Sequence, residues 1–182
     1  MDFIGKQISV KHSEKELSVV ILSFKNKLKN ALLFFWLFIW TICGIIVFTE
    51  YFLIVDYNSR ALIIVWIGFW IYFEYKIFKA YMWRKLGKEK IKIRDGKFLY
   101  KRDVGGKGKI KIYEIDFMKG FRIIKKKEDS FFENLNNSYW AIAGDRLAFD
   151  YYGKEIKLGI QLDDADTKTL FNLIKKKISA NS

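Results

Sequence analysis

The chain has 182 residues, of which 51% are hydrophobic, 18% aromatic and 29% charged, and it contains one cysteine, one histidine and no proline. This composition excludes an intrinsically disordered chain, which would be poor in apolar and aromatic residues. It also excludes a disulfide-stapled secreted module and a cysteine–histidine zinc site, because each of these needs several such side chains.

The first 30 residues carry a net charge of +3 and alternate in part between apolar and polar side chains. Leu17, Val19 and Ile21 recur with a period of two, which is typical of a half-buried strand. We expect one or two strands here, pairing with an edge of the C-terminal domain and so covering an exposed strand edge. For residues 24–30, an interfacial helix leading into the next segment is an equal alternative.

A stretch of nineteen uncharged residues follows at positions 31–49. A helix of that length rises ~28 Å, close to the ~30 Å hydrocarbon thickness of a bilayer. A second apolar stretch, at residues 61–73, continues past Lys76 to Met82, because long charged side chains snorkel to the headgroups. We therefore expect residues 31–82 to form a transmembrane hairpin of two helices. The alternative is two core helices of a soluble protein, but the first stretch has no polar face.

Basic residues flank the hairpin on its outer sides, whereas the connecting residues 50–60 contain only one. The positive-inside rule then predicts a multi-pass protein of the cytoplasmic (inner) membrane with both termini in the cytoplasm. A cleavable signal peptide is not expected, because the apolar run begins only after 30 residues and lacks a small-residue cleavage site. Glu50 and Glu74 lie at the ends of the apolar segments, where an interfacial position is a simpler interpretation than a proton- or ion-coupling role.

Tryptophan recurs at a spacing of four residues within both apolar segments, and each segment contains a glycine that permits close helix approach. Interfacial anchoring and contact with lipid explain the tryptophans, and a face that packs against another helix is the alternative. The candidate packing residues are Trp36, Trp40, Gly44, Trp66, Gly68 and Trp70.

From residue 83 onward, apolar residues alternate with polar ones instead of running continuously. Strands are predicted around residues 91–93 and 98–100, joined by the tight turn Asp95-Gly96. An exposed loop is predicted at residues 125–138. Further strands are predicted around residues 110–112, 115–117, 121–123, 139–143, 147–152 and 155–162.

The last predicted element is an amphipathic helix that covers an open end or face of a curved sheet. Asp163, Asp164 and Asp166 suit the positive end of a helix dipole, and the lysines at 175–177 suit its negative end. The residues that share its apolar face are Leu170, Leu173, Ile174 and Ile178.

Several short motifs carry a family resemblance: Gly87-Lys88-Glu89, Gly106-Lys107-Gly108-Lys109, the run at 148–153, Leu158-Gly159, and the run at 162–165. In these motifs the chain resembles the YcxB-like and bacterial PH-domain membrane proteins, in which a two-helix hairpin precedes a pleckstrin-homology-like (PH-like) domain. The resemblance implies an α+β membrane protein. Its residues 83–182 would form a cytoplasmic PH-like antiparallel β-barrel capped by the C-terminal helix.

The positive charge is concentrated outside the apolar segments, since residues 31–82 carry no net charge and residues 83–182 carry +10. Each Lys or Arg near an anionic leaflet gains on the order of 1 kcal/mol. Non-specific solvation and topology determination are the alternative, and nucleic acid is not expected because no recognised binding motif accompanies the charge. The candidate contacts for anionic lipid headgroups or a protein partner are Arg84, Lys85, Lys101, Arg102, Lys107, Lys109, Lys111, Lys125, Lys126 and Lys127.

We predict no catalytic, cofactor or metal site. The only histidine, His12, has no Gly-x-Ser-x-Gly elbow to serve. The glycine–lysine run at 105–109 lacks the Walker spacing and precedes a strand, and the acidic cluster at the start of the last helix is explained by capping. Cys43, inside the first apolar segment, is a small hydrophobe there.

The resulting hypothesis is a non-enzymatic membrane-tethered adaptor, or an accessory subunit of a membrane complex. An anionic-lipid-binding or lipid-sensing module is the first alternative, and an oligomeric channel or transporter subunit is the second. The expected partners are the lipid bilayer, a protein partner or a second copy of the chain, and anionic lipid headgroups.

Overall fold

The computed structural model of the chain describes residues 2–5, 7–13, 16–23, 27–124 and 144–180. These residues form nine strands, two long helices, one 3-10 turn and a C-terminal helix. In chain order the elements are β1 (Asp2–Ile4), β2 (Ile8–His12), β3 (Glu16–Leu22), α1 (Lys27–Leu53), α2 (Tyr57–Leu86), β4 (Gly87–Arg94), β5 (Lys97–Val104), β6 (Ile110–Glu114), the 3-10 turn (Ile115–Phe117), β7 (Met118–Ile123), β8 (Asp145–Tyr151), β9 (Lys154–Ile160) and α3 (Asp164–Ser179).

The strands form two antiparallel sheets, a large sheet with the order β1-β2-β3-β4-β5-β6 and a small sheet with the order β7-β8-β9. The 3-10 turn carries the chain from the large sheet to the small one. The sequence predicts a strand at residues 115–117, and this prediction is wrong. Ile115 and Phe117 continue the apolar alternation in the sequence although the strand has ended. Only Ile115 is buried, and Phe117 is exposed within the turn.

The N-terminal residues form half of the large sheet. They contain three strands, where the sequence predicts one or two, and β3 pairs with β4, the first strand after the helices. Leu17 lies opposite Ile93 and Leu22 opposite Lys88 in that pairing. The segments before and after the two long helices therefore belong to one folded unit.

The core lies between the two sheets and is closed on one side by α3. Rings from both sheets meet there, with the Phe98 and Phe149 centroids 5.4 Å apart and those of Tyr113 and Phe149 5.2 Å apart. Helix α3 packs against β1, β7 and β8 and buries Leu170 and Ile174 completely. The predicted amphipathic helix is thus present, and the side chain of Asp163 caps it by accepting a hydrogen bond from the Asp166 amide at 2.7 Å.

The described strands do not close into a barrel, so the expected PH-like barrel is not supported. Strands β6 and β9 each have one hydrogen-bonded strand neighbour among the described residues. The physical reason lies at β9, where side chains from the large sheet bond to the backbone in place of a strand. The strand predicted at 139–143 and the loop predicted at 125–138 lie outside the described residues.

Helices α1 and α2 pack against each other as an antiparallel hairpin joined by residues 54–56. The side chain of Asp56 caps α2 by accepting a hydrogen bond from the Ser59 amide at 2.8 Å. Both helices are long and apolar enough to cross a bilayer, and only 17% and 6% of their apolar windows are buried. Core helices of a soluble domain would be mostly buried. The prediction of an α+β chain with two long apolar helices and antiparallel sheets is therefore confirmed.

Helix α2 joins the large sheet without a linker. Helix α2 ends at Leu86 and β4 begins at Gly87. On the other side of the junction, the Ser23 amide donates to the Gly87 carbonyl at 3.2 Å and the Ser23 hydroxyl donates to the Arg84 carbonyl at 2.8 Å. We call this end of the sheets, where β3 and β4 meet the helices, the hairpin end.

We expect Phe149→Ala to lower the free energy of unfolding of the sheet domain by about 3–5 kcal/mol, because it opens a cavity in a fully buried aromatic cluster. Thermal unfolding of the full-length protein in detergent, followed by near-UV circular dichroism, measures the change. Phe3→Ala is the control, since Phe3 is 74% exposed and its truncation should leave the melting temperature within about 1 °C. Equal melting temperatures for the two variants would contradict the assigned core.

Candidate functional site

A buried glutamate bonds the two sheets together. Glu89 on β4 is 1% exposed. One of its carboxyl oxygens accepts hydrogen bonds from the Tyr100 hydroxyl at 2.7 Å and from the Arg102 Nε at 3.0 Å. The other accepts from the backbone amides of Gly159 at 2.7 Å and Ile160 at 3.4 Å, both on β9. A buried carboxylate is stable only with such a full set of donors.

Two of these partners have properties that suit a hydrogen bond to Glu89. Burial, reinforced by the charge of Glu89, raises the pKa of the Tyr100 hydroxyl, so this group stays protonated and remains a donor. Gly159 adopts a backbone φ of +79°, a conformation that side chains rarely permit, and a Cβ there would lie 3.0 Å from Leu162. A glycine at this position therefore allows β9 to present its amide to Glu89.

Arg102 on β5 spans the gap between the sheets. Its Nη2 group donates to the Lys157 carbonyl at 3.0 Å and to the carboxyl of Asp145 on β8. The carbonyl of an edge strand is thus satisfied by a guanidinium and not by another strand. Within the described residues the remaining Nη1 group of Arg102 makes no hydrogen bond, and the side chain is 40% exposed.

An open cleft of about 420 Å³ lies where β5 and β6 face β9. It is on the side of the core that α3 leaves uncovered, and its wall is mainly cationic. We call it the β5–β9 cleft. Its lining residues are Tyr100, Arg102, Lys109, Lys111, Glu155, Ile156 and Lys157.

One end of the cleft, at Arg102, lies near the hairpin end of the domain. Arg102 is two residues from Val104, which pairs with Gly87, the first residue after α2. At ~3.3 Å per strand residue this places Arg102 about 7 Å along the strand from the helix end. The turn at Gly105 and Gly106 lies against the same junction, since a Cβ on Gly105 would contact Leu86 at 3.4 Å.

The described members of the predicted cationic set divide into three groups. Three of them, Arg102, Lys109 and Lys111, line the cleft. Lys101 and Lys107 lie at the adjoining turn, where the Lys101 ammonium donates to the Gly106 carbonyl at 3.4 Å and Lys107 bonds to the Val104 backbone at 3.1 Å. The remaining described ones, Arg84 and Lys85, lie at the end of α2: Arg84 is 9% exposed, and the Lys85 ammonium lies 5.7 Å from the Tyr81 ring centroid. Lys125, Lys126 and Lys127 lie outside the described residues.

Sequence reasoning missed Glu89, Asp145 and Lys157. Glu89 has the same strand parity as Ile91 and Ile93, which is the inward-facing parity, and that signal alone identifies it as a buried charge. The parts played by Asp145 and Lys157 depend on how the two sheets dock, and local periodicity holds no information about docking.

The predicted helix-packing residues take different positions in the hairpin. The Trp70 ring fills the space above Gly44, where a Cβ would lie 2.0 Å from the ring, and its indole nitrogen donates to the Trp40 carbonyl at 3.2 Å. Trp36 and Trp40 stack with their centroids 5.1 Å apart. Trp66 is 38% exposed, and a Cβ on Gly68 would meet open space, so Gly68 does not lie against the other helix.

A polar contact also joins the two helices. The Thr41 hydroxyl lies 2.8 Å from a Glu74 carboxyl oxygen and 2.8 Å from the Leu37 carbonyl. Glu74 lies well inside α2 and not at its end, because the helix continues to Leu86. This bond gives Glu74 a role in holding the hairpin together. The ion-coupling alternative stays a prediction.

Within the described ranges, no group of three or more His, Cys, Asp or Glu side chains is placed to hold a metal ion. His12 ends β2 on the exposed surface, and Cys43 is a free thiol in α1. Comparison with known proteins gave no match to a protein-family model, a curated protein or a solved structure.

The geometry makes the stability of the domain depend on the protonation of Asp145. Burial raises its pKa from 3.8 to about 6, although Arg102 opposes the shift. Between pH ~4 and ~6 the folded state therefore binds a proton that the unfolded chain has released, so the free energy of unfolding falls as the pH rises, by about 2 kcal/mol. Asp145→Asn removes this titration.

We expect the melting temperature of the wild type, relative to that of Asp145→Asn, to decrease between pH 4 and pH 7. Differential scanning fluorimetry across this range gives the difference curve. Asp116→Asn, at an exposed position in the 3-10 turn, is the control and should give a flat curve. A flat curve for Asp145→Asn as well would show that the Asp145 carboxyl is not held in the gap between the sheets.

Proposed function

We propose that this chain is a non-enzymatic integral membrane protein whose two long helices span the bilayer and whose sheet domain binds anionic lipid at the cytoplasmic surface. The observation that carries the proposal is the position of the β5–β9 cleft. It is lined by one arginine and three lysines, and its Arg102 end lies about 7 Å along the strand from the hairpin end, where a spanning hairpin would enter the membrane.

The topology in this proposal rests on strand pairing and charge. Because β3 pairs with β4, the segments on either side of the hairpin lie on the same side of any bilayer that it crosses. Residues 1–30 carry +3 and residues 83–182 carry +10, which favours the cytoplasmic side for both. Lys76 and Lys85 lie over the Tyr72 and Tyr81 rings, a combination typical of helix residues at the headgroup level.

The proposed fold family is the one that the sequence motifs resemble, the YcxB-like and bacterial PH-domain proteins. Two packed antiparallel sheets followed by one C-terminal helix support that proposal. The opening between β6 and β9 distinguishes the described strands from a closed PH-like barrel, and this opening is where the cationic cleft lies.

We expect the purified full-length protein to retain phosphatidylglycerol in preference to phosphatidylcholine in native mass spectrometry from detergent, and to retain less of it as salt is raised. Lys85→Gln/Lys107→Gln removes two charges near the hairpin end and should weaken retention by about 2 kcal/mol, roughly 30-fold. Lys97→Gln/Lys119→Gln is the matched control, with the same change in charge away from this end. Equal retention of the two lipids would end the lipid-binding proposal, and recovery of the protein from lysed cells in the supernatant after high-speed centrifugation would end the spanning proposal.

A second candidate function is a membrane-tethered adaptor, and one observation favours it. Phe117 and Tyr152 stack with their ring centroids 5.1 Å apart while remaining 44% and 68% exposed. They lie at the end of the sheets away from the hairpin, where a protein partner can reach them. Exposed aromatic pairs of this kind are typical anchors of protein interfaces.

If the adaptor function holds, affinity purification of the full-length protein in mild detergent should recover a stoichiometric protein partner. Phe117→Ala/Tyr152→Ala should abolish its recovery because the exposed ring contacts are lost. Tyr57→Ala, at an 82% exposed tyrosine at the start of α2, serves as the control. Recovery of the wild-type protein alone, under conditions that preserve other membrane complexes, would refute the adaptor.

A further inference from the structure

The β5–β9 cleft has the size and the charge of a small-ligand site. Its volume of about 420 Å³ falls within the range of ~300–1,000 Å³ that is usual for such sites. Four of its lining side chains are cationic and one, Glu155, is anionic. Compact anions are therefore the chemical class that it favours.

The surplus of charge is located on one wall. Lys157 is paired with Glu155 at 3.0 Å, and Arg102 is paired with Glu89 and Asp145. Lys109 and Lys111, by contrast, form no ion pair among the described residues. The cleft thus presents two unneutralised ammonium groups beside a guanidinium whose charge is already balanced.

Arg102 is held in place before any ligand arrives. Its Nε and Nη2 groups are fixed by Glu89, Asp145 and the Lys157 carbonyl, while its Nη1 group has no bond among the described residues. An arginine fixed in this way loses little side-chain freedom on binding and keeps N–H donors for an oxyanion. Guanidinium and ammonium groups together are typical ligands of phosphate oxygens.

We propose that the β5–β9 cleft is a binding site for a phosphate monoester, in which Lys109 and Lys111 neutralise the dianion and the Nη1 group of Arg102 donates to its oxygens. A monoester carries a charge of about −1.5 to −2 at pH 7, which matches two free ammonium groups, whereas a diester carries one negative charge. The carboxylate of Glu155, which also lines the cleft, disfavours an extended polyanion that would run past it. This inference rests on the proposed function only for the source of the ligand. The phosphate monoester is a lipid headgroup if the domain binds lipid, and otherwise a free phosphate compound.

The test is isothermal titration of the full-length protein in a maltoside detergent with three probes: dibutyryl phosphatidic acid, dibutyryl phosphatidylglycerol and glycerol 3-phosphate. We expect the phosphatidic acid, a monoester, to bind about tenfold or more tightly than the phosphatidylglycerol, a diester. Its binding to the Asp145→Asn variant, which lacks the carboxyl that titrates beside Arg102 in the same pH range, should weaken below pH 6, where the second phosphate proton returns. Comparable binding of glycerol 3-phosphate identifies a site for the phosphate group itself, and binding of the phosphatidic acid alone identifies a lipid site.

The variant Lys109→Gln/Lys111→Gln should weaken monoester binding about tenfold or more, whereas Lys97→Gln/Lys119→Gln should leave it unchanged. Unchanged melting temperatures for these variants confirm that each is folded. Equal binding of monoester and diester, or monoester binding unaffected by Lys109→Gln/Lys111→Gln, would overturn the site.

The two proposals fail separately. Retention of phosphatidylglycerol without any monoester preference supports the lipid-binding function and overturns this site. Binding of glycerol 3-phosphate as tight as that of the phosphatidic acid, dependent on Lys109 and Lys111, in a protein that does not distinguish phosphatidylglycerol from phosphatidylcholine, supports the site with a soluble ligand and removes the lipid function.

Discussion

The docking of the two sheets depends on one buried carboxyl group. Glu89 comes from the middle of the large sheet, yet half of its hydrogen bonds go to backbone amides of β9 in the small sheet. The remaining bonds fix Tyr100 and Arg102, and Arg102 in turn bonds to β8 and β9. A buried charge with this many donors is costly to disturb, because loss of one partner leaves the others unsatisfied. The angle between the sheets, and with it the opening of the cleft, is therefore set by polar bonds as well as by the aromatic core.

The same bonds explain why the sheets stay apart on one side. An edge strand normally seeks a neighbouring strand, since its amides and carbonyls are otherwise unpaired. Here the Arg102 guanidinium donates to the Lys157 carbonyl, and Glu89 accepts hydrogen bonds from the amides of Gly159 and Ile160. The edge of β9 is satisfied by side chains at these positions. The gap that remains is lined by charges, which makes it a place for a polar ligand.

Local patterns in the sequence predicted most of the described elements but little of how the two sheets dock. The charge-free run before Glu50 and the Asp95-Gly96 turn between alternating strands predict α1, β4 and β5 correctly. The alternation through Ile115 predicts a strand where the chain turns, because a period of two does not report where hydrogen bonding ends. Three residues of the cleft could be predicted from the sequence, because their charge is visible there: Arg102, Lys109 and Lys111. Asp145 and Lys157 could not, because they are separated from Arg102 by more than 40 residues and only tertiary packing brings them together.

The absence of a linker between α2 and β4 has a mechanical consequence. Leu86 is helical and Gly87 is already in the sheet, while Ser23 bonds to both sides of the junction. The end of α2 and the large sheet therefore rotate together as one rigid unit. Spanning helices tilt to match the thickness of the surrounding hydrocarbon. In a bilayer, the inclination of the sheets would then change together with the tilt of the helices. A thicker or thinner membrane would therefore change the orientation of the cleft relative to the membrane surface.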